Sequence, residues 1–348
     1  MRLYLLGEVS WQRSQLIYHA LARLGREGLV LLWPAEPYVC LGFHQDLTQE
    51  LDLEFCRRRG LPVFRREVGG GTVYLDREQV FWQVVLRRDN PLIPFSHQAF
   101  YRRFLGPVAR AYQRAGLMAE LHGINDLAAE GGKVCGTGAG EIADCVAFVG
   151  NLMRDFDCDT MCRVLRLPDE RFRRRLAGLM EQNLTHLRGT LGPEALKRWN
   201  HQRLAGLLAQ EFARLLGPLQ PAEVDPELED QMRRLERRML DPSWVHFPRK
   251  PRPGRRAVKV RAGLYLHHRR LGEAMPGLRA IFTVEDGRLR GLEFYGAAGL
   301  DGQTLAPLAA GLEGAARPEL APRLAELARQ KLLPAGLTPG KLARGLSF

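Results

Sequence analysis

Three consecutive glycines, Gly69 to Gly71, stand between two short runs of β-branched and aromatic residues in the segment PVFRREVGGGTVYLD, residues 62–76. Glycine at three successive positions suits neither a helix interior nor a well-paired strand, because each one costs backbone entropy and offers no side chain to pack. The segment reads as strand, loop, strand, and the fold must be built around that sheet-borne loop. A backbone without side chains can approach a ligand closely, turn its N–H groups toward an anion and close over it. A β-bulge or a flexible hairpin is the purely structural alternative. Arg65 and Arg66 precede the loop and Asp76 follows it, the latter a candidate carboxylate or simply a strand end.

The surroundings support an α/β chain with a mixed sheet. Leu16, Ile17, Ala20, Leu21 and Leu24 recur at helical spacing over residues 11–24, with Gly25 as a stop. LVLLWP, YVCLGFHQ and VFWQVVLRR read as strands. Phe100, Phe104, Val108 and Tyr112 predict a helix from Ser96 to Ala115 that covers one sheet face and ends at Gly116, with a kink at Gly106-Pro107. Residues 158–217 are helical in pattern, and PRKPRPGRR, from Pro248 to Arg256, is a composition break. Beyond it VKVRAGLYLHH and LRAIFTVEDGRLRGLEFYG read as strands, with Asp286-Gly287 as a hairpin signal. The expected division is a catalytic-type domain over 1–247 and a small α+β accessory domain over 248–348.

Composition narrows the function classes. No apolar run is long enough to span a bilayer, and the N-terminal run broken at Gly7 and Glu8 is too short for a signal peptide. Six cysteines with no CxxC pair then read as free thiols of a reduced, cytoplasmic protein, with no structural zinc. GxxxxGK[ST] does not occur and GTGAG at 136–140 misses the dinucleotide fingerprint, so neither a P-loop nor an NAD site is expected. The net charge of +12 suits an anionic partner, with solvated basic faces of an arginine-rich chain as the structural alternative. Nucleic acid is disfavoured because aromatics are sparse among the basic runs. No membrane partner is expected.

The segment INDLAAEGGKVCG permits a geometric argument. With Gly131-Gly132 as the turn, Glu130 pairs with Lys133 and Ala128 with Cys135, and the strand period puts Asp126, Lys133, Cys135 and Thr137 on one face. An ammonium there can neutralise charge growing on a carbonyl or phosphate oxygen, and Asp126 with Asn125 can hold magnesium. An ordinary surface hairpin with a solvated lysine is the alternative.

These segments carry a resemblance. RREVGGGTVYLD is similar to the lipoate-binding loop of the lipoate-protein ligases, within the biotin/lipoate ligase superfamily, usually written RRxSGGGAVYHD. Trp33, Pro37, Gly42, Gln45 and Glu50 are similar to the family's first stretch, and INDLAAEGGKVCG resembles its RNDL followed by GxKxSG. The similarity runs over residues 1–245, and Trp244 with FTVEDGRLRGLEFYG resembles the accessory domain of two-domain members. Val68, Leu75 and Ile124 stand where the family has serine, histidine and arginine.

The resemblance implies a ligase that joins lipoate or octanoate to ATP as an acyl-adenylate, then passes the acyl group to a lysine of an acidic lipoyl carrier domain. It implies Lys133 as the catalytic group, and Arg65, Arg66, Gly69, Gly70, Gly71, Thr72, Val73, Tyr74, Asn125, Gly136 and Thr137 as acyl and adenylate contacts. Magnesium would accompany ATP at Asp126. Three rivals stay open: a cysteine-dependent octanoyltransferase of the same superfamily using Cys135 or Cys145, a biotin ligase, and a nucleic-acid-binding protein using the basic linker. The stretch LMAELHGIND before Asp126 lacks the cysteine that the transferase branch carries there, which favours the ligase.

Overall fold

A computed structural model describes residues 1–247, 255–273, 275–299, 304–334 and 336–348. The chain divides into two compact units, Met1–Arg166 with Met180–Lys250, and Leu167–Leu179 with Pro251–Phe348. The linear division at residue 248 falls outside the described residues, as does most of the basic run that marks it. It also does not anticipate that Leu167–Leu179 belongs to the second unit. There Asp169 accepts a hydrogen bond of 2.6 Å from the Tyr295 hydroxyl and Arg171 pairs with Glu293, contacts that sequence patterning cannot reveal.

The first unit is built on a six-stranded mixed sheet in the order Thr137–Ile142, Cys145–Met153, Gln79–Arg87, Gly28–Pro34, Arg2–Val9, Gln220–Pro221. The strands Gly28–Pro34 and Gln79–Arg87 are apolar almost throughout because both faces are covered. One face packs against the helices His97–Ala115 and His201–Leu216. The other packs against Trp11–Arg23 and Pro226–Met239.

Helix ends follow their capping residues. Ser10 and Ser96 accept hydrogen bonds from the third residue on, and Gly116 closes the second helix at φ 98°. Pro107 lies buried inside that helix, which runs unbroken where a kink is predicted. A three-stranded sheet, Val63–Arg65, Tyr38–Leu41, Val73–Leu75, carries the glycine loop, and another, Glu120–His122, Asp126–Ala129, Gly132–Lys133, carries the lysine hairpin.

The second unit is a four-stranded antiparallel meander from Arg255 to Tyr295 with a core of its own shared with the helices Ala306–Gly311, Leu320–Arg329 and Pro339–Leu346. Asp286 and Gly287, at φ 47° and 75°, form the expected tight turn.

Candidate active site

The glycine loop is held by its two arginines, in different ways. Arg65, 1% exposed, donates to the carbonyls of Gly42, Phe43, Gln45 and Val245, and Trp244 Nε1 donates to its own carbonyl at 3.1 Å. Its guanidinium is a clasp between chain segments and does not line the cavity. Arg66, the first residue past the strand Val63–Arg65, lines the cavity instead. It donates to Gly69 O at 2.9 Å, Gly71 O at 2.8 Å and Cys40 O at 3.2 Å, fixing the loop from beneath.

Gly70 sits at φ +103°, and a Cβ there would lie 2.7 Å from Arg66 Nη2. A Cβ on Gly42 would run into the Gly70 carbonyl. Thr72 is tied to Gln45 Oε1 at 3.0 Å. Val68, where the family's loop has serine, is fully buried against the strand that carries Gly138 and Gly140.

Beside the loop lies a cavity of about 480 Å³ including its mouth, which Gly69, Gly70, Gly71 and Thr72 do not themselves line. The loop segment contributes Arg66, Val73 and Leu75, and the segment after the lysine hairpin contributes Gly136, Thr137 and Gly138. Tyr74 alternates away between Val73 and Leu75, and burial pushes its hydroxyl up to about 12. The remaining wall comes from residues that motif reading missed, chiefly Gln15, Tyr18, Cys40, Phe81, Gln83, Val149 and Asn151. A signal for one of these was present: Gln83, with Gln79 four residues before it, interrupts an otherwise apolar strand on the face that meets the cavity.

Gln79 serves as a link. Its amide reaches Asp76 Oδ1 at 3.4 Å, its Oε1 accepts from Asn151 Nδ2 at 2.5 Å, and Asn151 Oδ1 accepts from the Gly136 N–H at 2.8 Å. Gly136 is thus positioned by a chain that starts at Asp76. Burial, only partly offset by the Glu78 N–H and the Gln79 amide, raises the Asp76 carboxyl to about 6.

In the lysine hairpin Ala129 pairs with Gly132 and Ala128 with Lys133, so the turn is Glu130-Gly131 rather than Gly131-Gly132. Glu130 accepts φ 49° and Gly131 takes 81°, the tight-turn geometry for which sequence reading selects the glycine pair. Moving the turn back by one residue shifts every pair yet preserves parity. Asp126 and Lys133 remain on one face, and Lys133 Nζ stands 3.0 Å from Asp126 Oδ1, with Asp126 only 1% exposed.

Thr137 Oγ1 donates to the Asn125 carbonyl at 3.0 Å, binding the hairpin to the cavity strand. Asn125 and Lys133 do not themselves line the cavity; Gly136, three residues beyond Lys133, does. Among the described residues no group of three His, Cys, Asp or Glu side chains gathers to hold a metal, and Asp126 already faces an ammonium. A magnesium ion would need phosphate oxygens for most of its shell, as magnesium in nucleotide sites commonly does.

The thiols are quiet. Cys135 is fully buried, which pushes it up to about 12 despite nearby Lys133, and burial likewise raises Cys40 and Cys145. None of the three resembles an activated nucleophile.

The sequence model of the lipoyl protein ligase A/B catalytic domain matches residues 7–213. The chain is 26% identical over 142 residues to the lipoate-protein ligase LplJ of Bacillus subtilis, covering 41% of each. It is 26% identical over 165 residues to the octanoyltransferase LipM of Brevibacillus brevis, covering 41% of this chain and 59% of that one. The chain therefore spans only about half the length of these relatives. In fold it is similar to a bipartite lipoate protein ligase from Thermoplasma acidophilum, with a TM-score of 0.63 at 22% identity over 72% of this chain and 98% of the other.

Proposed function

Because the chain belongs to the lipoyl protein ligase A/B catalytic-domain family, we propose that it is an ATP-dependent ligase that activates a medium-chain acid such as lipoate or octanoate and transfers it to a carrier lysine. One observation carries this reading. Two sequence motifs far apart in the chain wall a single, mostly apolar cavity, with a lysine on the hairpin that leads into it.

In the first step the acid's carboxylate oxygen attacks the α-phosphorus of ATP, giving the acyl-adenylate and pyrophosphate. In the second the carrier's amine attacks the acyl carbon and AMP leaves. Charge grows on oxygen in both. Lys133, released from Asp126, neutralises it, a contribution of about 3–4 kcal/mol in comparable sites. The clasped glycine loop keeps water from the mixed anhydride. Magnesium, supplied with ATP, would offset phosphate charge, with Asp126 as the chain's own carboxylate for it. The positive charge of the chain suits an acidic lipoyl carrier domain.

The octanoyltransferase reading has support in the LipM relative. Against it stand the stretch before Asp126, which holds no cysteine, and the raised thiols of the buried Cys135 and Cys145. The test is pyrophosphate release from ATP and magnesium on adding lipoate or octanoate, with Lys133→Ala as control. Acid-dependent release that the variant loses supports the ligase, and its absence in the native chain removes it.

A further inference from the structure

The cavity beside the glycine loop is lined by hydrocarbon from Val73, Leu75, Phe81 and Val149 and by polar groups from Gln15, Tyr18, Cys40 and Gln83. Phe81 and Val149 flank Gln83 on the same sheet face, Phe81 two residues before it on its strand and Val149 as its cross-strand partner. Most of the polar atoms are paired. Gln15 Nε2 donates to the Tyr38 hydroxyl at 2.6 Å, and Gln15 Oε1 accepts from the Tyr18 hydroxyl at 3.3 Å and the Cys40 thiol at 3.8 Å.

Gln83 is the exception. It is 1% exposed and its Nε2 donates to the Ser14 carbonyl at 2.7 Å, but its Oε1 is buried with no hydrogen-bond partner among the described residues. Turning the amide over would set Oε1 against the Ser14 carbonyl, so the orientation is fixed. A buried acceptor left open is destabilising, and of the buried side-chain atoms in that state among the described residues it is the one on the cavity lining.

Strand register gives its depth. Asn151, which holds Gly136, lies opposite Phe81, and Val149 lies opposite Gln83, two residues or about 6.6 Å further along the sheet. An acid with its carboxylate at the Gly136 end, beside the lysine hairpin, therefore runs its tail past Phe81 and Val149 toward Gln83.

We propose that Gln83 reads the distal end of the acyl chain, and that the site prefers an acid carrying a thiol there over one ending in a methyl or a closed disulfide ring. This rests on the acyl-activating reading above. Oε1 needs a donor, which a methyl and a ring disulfide lack. Because Phe81 and Val149 flank Gln83 with hydrocarbon, the donor must also leave water cheaply, which favours S–H over O–H.

The experiment titrates the full-length chain calorimetrically with 8-mercaptooctanoate, kept reduced, and with nonanoate, which puts a methyl where the thiol stands. Wild type should bind the thiol acid about 3- to 10-fold more tightly, the range of one net hydrogen bond. Gln83→Leu should bring the ratio to one or below by weakening the thiol acid while sparing nonanoate. Should that variant fail to fold, Gln83→Met and the wild-type ratio still decide. Equal or tighter binding of nonanoate by wild type overturns the inference and leaves the ligase reading standing. Failure to bind either acid overturns both.

Discussion

The glycine loop and the lysine hairpin are both short, sheet-borne and rich in glycine, yet they are held in opposite ways. The loop is fixed by buried guanidinium groups on carbonyls that lie on several segments, from Cys40 to Val245. The hairpin is tied through its backbone, the Lys133 carbonyl accepting the Thr185 N–H at 2.8 Å, while the Lys133 ammonium is held by one ion pair. A binding surface benefits from being preformed, since ordering it on ligand arrival would reduce affinity. A charge that must move to a reacting oxygen benefits from a partner it can leave. The arginine clasps therefore fix the segment beside the cavity, while the reactive ammonium rests on a single carboxylate that it can exchange for a substrate oxygen.

The largest expected effect separates these roles. Lys133→Ala should lower acyl transfer by about 100- to 1000-fold, the usual loss for one electrostatic group. It should also destabilise the chain by about 1–3 kcal/mol, because it takes the Lys133 ammonium from the buried Asp126 carboxylate. Adding Asp126→Asn should restore the melting temperature and not the turnover. Recovery of turnover in the double variant would mean that the lysine acts structurally.

Next comes the loop. Gly70→Val forces a β-branched side chain to φ +103° and into Arg66, and Gly42→Ala pushes the Gly70 carbonyl. Each should cost about 1–3 kcal/mol in denaturant melts and raise the Kd for the acid. Unchanged acid binding in both would detach the loop from the cavity.

Smaller is a pH effect with two opposing parts. Asp76, raised to about 6, holds a proton in the folded chain that the unfolded chain releases. Its contribution is complete below about pH 4 and fades as pH rises through 6. His19 runs the other way. Burial lowers it to about 4, and its Nε2 accepts the Glu67 N–H at 3.1 Å, so stability is lost as pH falls from 6.5 toward 4. Asp76→Asn should thus stabilise the chain at pH 7 by about 1–3 kcal/mol and leave a steeper rise in stability between pH 4 and 6. A flatter profile in the variant would contradict the assignment. Least affected should be Cys135→Ala, with activity within about 2-fold of wild type and a modest loss of packing.

The same comparison explains what the sequence disclosed. Both motifs were legible because glycine triplets and hairpin parity are local, and parity survived a turn displaced by Glu130 taking positive φ. The different duties of Arg65 and Arg66 were not legible, since two adjacent arginines look alike until the fold sends one between chain segments and the other to the cavity. The polar groups of the cavity were hidden for another reason. Gln15 and Tyr18 come from a helix, Gln83 and Asn151 from two strands, and only the sheet register brings them together. Leu167–Leu179 joins the second unit through Asp169 and Arg171, contacts that no periodicity announces.

The central claim is that Lys133 acts on an adenylate and that no cysteine carries the acyl group. Intact-mass spectrometry of the chain tests it, after incubation with ATP, magnesium and octanoate in one sample and with an octanoyl-carrier thioester in another. The account predicts acyl-adenylate in the first and an unmodified chain mass in both. An octanoyl adduct on the chain from the thioester, mapped to Cys135, Cys145 or Cys40 and lost on its substitution, would contradict it.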